Sequence, residues 1–305
     1  MKIVKTDVCY TYTICEEAIN RLKNVYPFIE TGMAGRSVLG KNLSYLKIGT
    51  GKYKVFINAA HHALEWITTP LVLWFCEDFL QNHVKKGMFL GEDTEKIMED
   101  CALFVVPMVN PDGVDLVNIG FDESNLFYEE LKKWENMGVD FRNTWKANIR
   151  GVDLNRNYPA EWEKSKRQEE GWGITLPAPT RFGGNAPLSE PETAAMVQFS
   201  KKSSFDLVMA YHTQGQEIYW LYKYNDNQKA EMLARKFGEL SGYAIQENPS
   251  EAAFAGYKDW FIDCYGKPGF TIEAGLGENP LPICDFDQIY KENAPMMLAA
   301  MTSYR

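Results

Sequence analysis

Apolar positions along this chain recur with two periods, and their alternation predicts a layered α/β protein. Residues 14–31 carry the helical period, whereas "LSYLKIG" (43–49) and "KYKVFINAA" (52–60) predict strands. "TTPLVLWFCEDFLQNHV" (68–84) predicts a buried helix with Thr69 as N-cap and Pro70 at the first helical position. "CALFVVPMVNPDG" (101–113) reads as a buried strand closing on a turn. Residues 118–187 are irregular, charged and aromatic, too long for a simple connector and of the kind that carries function. "LSEPETAAMVQFSKK" (188–202) opens a helix through a Ser189-x-x-Glu192 capping box. Strands follow at "FDLVMAYH" (205–212), "QEIYWLY" (216–222) and "GFTIEAG" (269–275), with helices at 227–241 and 286–303. Several of these strands end in polar residues, where open α/β sheets place their sites.

The chain has 305 residues, 45% of them hydrophobic, enough for a large core, and no repeat or Pro/Ser-rich linker divides it. Residues 1–305 are therefore expected to form a single domain. A net charge of −9 leaves no basic footprint for nucleic acid or anionic lipid. Neither an export signal nor an apolar run of membrane-spanning length is recognisable, so a cytoplasmic, soluble protein is expected. Six cysteines without a CxxC pair point to free thiols in a reducing compartment.

Two of the four histidines are adjacent in "INAAHHALEW", residues 57–66. His62-x-x-Glu65 just past a strand end offers an imidazole and a carboxylate that turn toward one point, a donor pair suited to zinc. On its own, such a pair more often marks a helix start with a satisfied histidine. His212, at the end of "DLVMAYH", adds a third donor, and two His with one Glu leave a position for water, as catalytic zinc sites do. "RGVDLNRNYP" (150–159) packs Arg150, Asp153, Asn155, Arg156 and Asn157 together; alone they read as solvated loop charges. Glu273 sits in the apolar strand "FTIEAG", where a carboxylate needs a partner or a task.

Taken in order, "HALE", "PMVNPDG", "GVDLNRN", the strand-terminal His212 and "TIE" resemble the zinc carboxypeptidases of the carboxypeptidase A type. Within that family "WKANIRGVDLNRNYPAEWE", "APTRFGG", "PLSEPET", "YHTQGQEIYW" and "GYKDWF" look like the bacterial γ-D-glutamyl-meso-diaminopimelate peptidases. The resemblance implies a carboxypeptidase A-like fold, in which helices flank a mixed, mostly parallel twisted sheet. It implies one zinc per chain held by His62, Glu65 and His212, with His61 turned elsewhere and Asp153 hydrogen-bonding the first histidine. Glu273 is then the general base. The oxyanion needs a cation, for which Lys146 and Arg150 both stand after Trp145, Arg150 being the better fork. Asn155 and Arg156 correspond to the pair that binds a terminal carboxylate.

The position fifteen residues before the catalytic glutamate, which sets side-chain preference in digestive relatives, is Lys258, suited to the distal carboxylate of meso-diaminopimelate or simply solvated. Arg181 and Lys146 in the long loop are the further candidates for that carboxylate. Equal spacing puts Glu251 where the family has a mobile tyrosine, and Tyr257 is the nearest tyrosine in the chain. The implied activity is hydrolysis of the γ-D-glutamyl bond to meso-diaminopimelate in murein peptides, in recycling or sporulation. The alternatives are a carboxypeptidase for ordinary peptides and a non-catalytic muropeptide-binding protein.

Overall fold

The computed structural model describes residues 2–85, 87–223, 227–247 and 254–304. Its frame is one mixed, mostly parallel sheet of eight strands flanked by helices. In chain order the strands are β1 (Glu30–Arg36), β2 (Asn42–Ile48), β3 (Tyr53–Ala59), β6 (Cys101–Val106), β7 (Leu207–His212), β8 (Glu217–Tyr219), β9 (Ala244–Gln246) and β10 (Gly269–Glu273); β4 (Met88–Phe89) and β5 (Glu92–Asp93) pair separately. The order across the sheet is β1-β2-β6-β3-β7-β10-β8-β9. The four central strands β6, β3, β7 and β10 run parallel, so their carboxyl ends share one edge. From β3 the chain goes first outward to β6 on one side and later to β7 on the other. That reversal opens a crevice between the ends of β3 and β7, where doubly wound sheets hold their ligands.

Central strands are buried on both faces. Every residue of β6 and β7 is buried, which is why they read as continuous apolar runs rather than alternating ones. One core layer gathers the helices Tyr12–Val25, Thr68–Val84 and Phe286–Met301; the other packs Phe56, Phe199, Phe205, Tyr257 and Trp260 on the opposite face. No helix among the described residues is long and apolar enough to cross a membrane.

Several local expectations are corrected. The first helix stops at Val25, because Pro27 cannot continue it, and the chain turns into β1, an edge strand whose largely exposed residues carry no apolar alternation. Thr69 is not an N-cap: the helix cap is Ile67, Thr69 Oγ1 donates to the Pro107 carbonyl at 2.7 Å, and Thr68 Oγ1 donates to the Glu65 carbonyl at 2.6 Å. The Ser189–Glu192 capping box does not form either. Ser189 turns to Glu190, and Glu192 accepts from the Val38 N–H across the fold. The "NPDG" turn is a helix, Pro111–Ile119, capped by Asn110, whose side chain accepts from the Gly113 N–H. Residues 118–187 contain the helices Tyr128–Asn136, Phe141–Thr144 and Trp162–Gly171.

Candidate active site

The end of β3 delivers the first two donors. Ala60 adopts a left-handed φ of 53°, which breaks the strand, and the chain enters the single turn Ala63–Glu65. His61 and His62 consequently diverge. His61 is fully buried, its Nε2 2.9 Å from the Tyr158 hydroxyl, and burial first, then the neighbouring His212 and His62, hold its pKa well below the usual histidine range. His62 points into the crevice. Its Nδ1 lies 2.9 Å from Glu65 Oε1 and its Nε2 3.0 Å from Asp153 Oδ1. His212, the last residue of β7, brings its Nδ1 to 2.8 Å from Glu65 Oε2 and 3.3 Å from His62 Nδ1.

These three donors lie within 4.8 Å of one another. Ligands bonded to a tetrahedral zinc at ~2.0–2.1 Å are separated by about 3.3–3.4 Å along each edge, so the spacing of the three fits that ion with little movement. Electrostatics point the same way. Burial opposes a charge on His62, yet Glu65 and Asp153 together outweigh it and push its pKa up to about 10. A divalent cation held by the three donors would supply the positive charge that Glu65 and Asp153 draw onto His62.

Asp153 caps the turn Leu154–Arg156 and also accepts from the backbone N–H groups of Asn155 and Arg181. Burial opposes its ionisation, but His62 and then Arg156 hold the carboxyl well below the usual carboxylate range. It therefore stays an acceptor and keeps the proton of His62 on Nε2, leaving Nδ1 for a metal.

Glu273 ends β10 and pairs in parallel register with His212. Burial, opposed by His212 and reinforced by Glu65, raises its pKa to about 7, which suits a group that takes and returns a proton near neutrality. Lys146 Nζ lies 3.0 Å from Glu65 Oε1, and the attraction of Glu65, then of Glu273, raises its pKa. Two cavities meet at Lys146, Asn155 and Glu273. One, of about 280 Å³, runs to Glu217, Tyr219, Lys258 and Asp259. The other, of about 250 Å³, runs to Arg156, Trp172 and Arg181. The Asn155 Oδ1 accepts from the Tyr257 N–H, which leaves its amide NH₂ facing the junction. Arg156 stacks on Trp172 at 5.0 Å, and Arg181 stacks on the same ring at 4.8 Å.

Two expectations from sequence, and one of the two alternatives for Lys258, are corrected by these positions. Arg150 is not brought to the cluster. It is 44% exposed, pairs with Glu190 at 3.5 Å and lines neither cavity, because the left-handed Gly151 turns the chain between it and Asp153. Tyr257 points into the second core layer, its hydroxyl 2.8 Å from Ser200 Oγ, and lines neither of the two cavities. Lys258 is neither solvated nor a free cation. It is buried, with Nζ 2.6 Å from Asp259 Oδ1 and 2.8 Å from the Leu221 carbonyl. Glu251 lies outside the described residues. Sequence reasoning passed over Glu217, Tyr219 and Asp259; for the first two the signal is their spacing of two at the start of a short strand, which puts both on one face.

A zinc carboxypeptidase family model matches residues 15–295. The chain is 37% identical over 300 residues, 98% of its length and 74% of the relative's, to gamma-D-glutamyl-L-diamino acid endopeptidase 1 of Lysinibacillus sphaericus. Among solved structures, thrombin activatable fibrinolysis inhibitor aligns with a TM-score of 0.75 at 19% identity, covering 99% of this chain and 76% of that one. Carboxypeptidase A of Helicoverpa armigera aligns at 0.70 and 19%, covering 98% and 74%. The fold is carboxypeptidase A-like.

Proposed function

The chain belongs to the zinc carboxypeptidase family and is a peptidase, and we propose that it hydrolyses the γ-D-glutamyl bond to a diamino acid, meso-diaminopimelate, in murein peptides. Residues 1–305 act as one catalytic domain in this reading. The observation that carries it is the pair of charged cavities meeting at Glu273. A γ-linked glutamate keeps a free α-carboxylate, and meso-diaminopimelate adds charge at both of its ends, so the substrate is charged on each side of its scissile bond. The Lysinibacillus relative, by its name, acts on such a bond.

His62, Glu65 and His212 would hold one zinc per chain, which, when bound, acidifies a water and polarises the scissile carbonyl. Glu273 takes the proton of that water and hands it to the departing amine. Burial raises its pKa, which suits a group that takes up and releases a proton near neutrality. Lys146 offsets the charge that develops on the carbonyl oxygen, the role for which Arg150 is too far round the loop. Asn155 and Arg156 anchor the free carboxylate of the departing residue, Arg156 kept flat by Trp172. The side chain of that residue enters the first cavity, where Lys258 retains a third N–H for its distal carboxylate beyond those directed to Asp259 and Leu221.

The test is to incubate the zinc-loaded protein with L-Ala-γ-D-Glu-meso-diaminopimelate and with the α-linked isomer, and to identify products by mass. Release of free meso-diaminopimelate from the γ-linked peptide is expected. Cleavage of the α-linked peptide alone would make the protein a carboxypeptidase for ordinary peptides.

A further inference from the structure

The first cavity contains a second acid beside Glu273 whose charge nothing in the proposed reaction uses. β8 and β10 pair antiparallel, with Glu217 opposite Glu273 and Tyr219 opposite Thr271. Residues facing each other across an antiparallel pair project from the same face of the sheet. All four line the same cavity accordingly.

The Glu217 carboxylate is held by neutral donors. Tyr219 donates its hydroxyl to Oε2, and Gln246 donates its amide to Oε1 at 2.9 Å. Among the described residues no lysine, arginine or histidine pairs with it. A carboxylate offers about four lone-pair sites, so two remain open after these bonds. In the same cavity the buried Lys258 and Asp259 cancel each other at 2.6 Å. With Lys146 paired to Glu65 and Glu273 taken up by the proposed proton transfer, what is left over is the negative charge of Glu217, half-buried and fixed in position before any ligand arrives.

We propose that Glu217 reads the distal ammonium of the departing diamino acid. The proposal rests on the γ-D-glutamyl-diamino acid reading and deepens it. A primary ammonium at the end of a four-carbon side chain completes the two open acceptor sites through charge-assisted hydrogen bonds. Because Tyr219 and Gln246 already fix the carboxylate, little ordering is lost on binding. Glu217 thereby selects diamino acids as a class, and Lys258 then decides whether a carboxylate accompanies the ammonium.

The experiment uses the zinc-loaded full chain, wild type and Glu217→Gln, with four peptides L-Ala-γ-D-Glu-X. X is meso-diaminopimelate or L-Lys, which carry a distal ammonium, or L-2-aminopimelate or L-norleucine, which do not. Glu217→Gln keeps the shape and the bonds to Tyr219 or Gln246 while removing the charge. It should cut kcat/KM by about 10–100-fold for the two ammonium peptides and by less than about threefold for the other two. An equal loss on all four, or a wild type that cleaves the norleucine peptide as well as the lysine peptide, overturns the assignment. If Glu217→Gln does not fold, Glu217→Asp withdraws the charge by one methylene and must lower the lysine-to-norleucine ratio. If no γ-linked peptide is cut, the proposed bond is wrong, and the same four residues in α-linkage still decide whether Glu217 reads an ammonium.

Discussion

The Nδ1 atoms of His62 and His212 face each other at 3.3 Å, each also in contact with one oxygen of Glu65. In a metal-free site both rings must donate to Glu65 to keep those contacts, which turns two N–H groups toward one another. A cation between them removes the conflict. Chelator treatment should therefore remove about one zinc per chain and lower the thermal midpoint, and zinc at ~1,000 times its Kd should restore about 4 kcal/mol. Elemental analysis with calorimetry checks both. Full activity and an unchanged midpoint in zinc-free protein would sink the site.

Glu273 is predicted to set the acid limb of activity. A base works ionised, so kcat/KM should fall as pH drops through its pKa, at or below about 7, because a bound zinc favours the carboxylate further. Glu273→Gln should bind zinc normally and lose about 10²–10⁴-fold in kcat, taking the acid limb with it. The same shift has a stability consequence. A folded-state pKa above the ordinary 4.5 means the folded protein binds the extra proton between the two values, so this contribution is lost as pH rises from there to about 7. Metal-free Glu273→Gln should consequently be more stable than metal-free wild type at pH 8, on the order of 2–3 kcal/mol, and of similar stability at pH 4. Denaturant titrations at the two pH values measure the difference.

Much of this site was legible in the sequence, because its principal side chains sit where a strand ends. His212 and Glu273 close β7 and β10, and an apolar run closing on a polar residue survives as a pattern without coordinates. Less could be read where the outcome depends on a distant partner. Thr69 has the composition of a cap, but the Pro107 carbonyl claims its hydroxyl. Tyr257 was the nearest tyrosine to the position that spacing indicated, yet the helix Tyr257–Tyr265 turns that residue toward Ser200, a contact 57 positions back along the chain. β1 escaped notice for a different reason. An exposed edge strand containing Gly32 and Gly35 has no buried face to mark in its residues.

Lys146 and Arg150 are separated by four positions and by their partners, Glu65 for one and Glu190 for the other. Lys146→Met should reduce kcat by about 10²–10³-fold while zinc content stays unchanged, the cost of losing a donor aimed at developing charge. Arg150→Met should stay within about threefold of wild type, since Arg150 lines neither cavity and buried Glu190 keeps its Asn148 and Ser189 donors. The reverse ranking in steady-state kinetics would return the oxyanion role to Arg150.

Lys258 and Asp259 make a buried pair, and breaking one side leaves the other uncompensated. Burial already raises the Asp259 pKa although Lys258 opposes it, so this carboxylate tolerates the loss of its partner poorly. Lys258→Met should cost about 3–5 kcal/mol in stability, and Lys258→Met with Asp259→Asn should recover most of it. Substrate preference separates the structural role from the functional one. In the more stable double variant kcat/KM should fall by roughly 30-fold or more for the meso-diaminopimelate peptide, whose distal carboxylate has lost its cation, and far less for the L-Lys peptide. Equal losses on both peptides would leave Lys258 as a partner for Asp259 alone, with Arg181 the remaining cation of the two cavities to test.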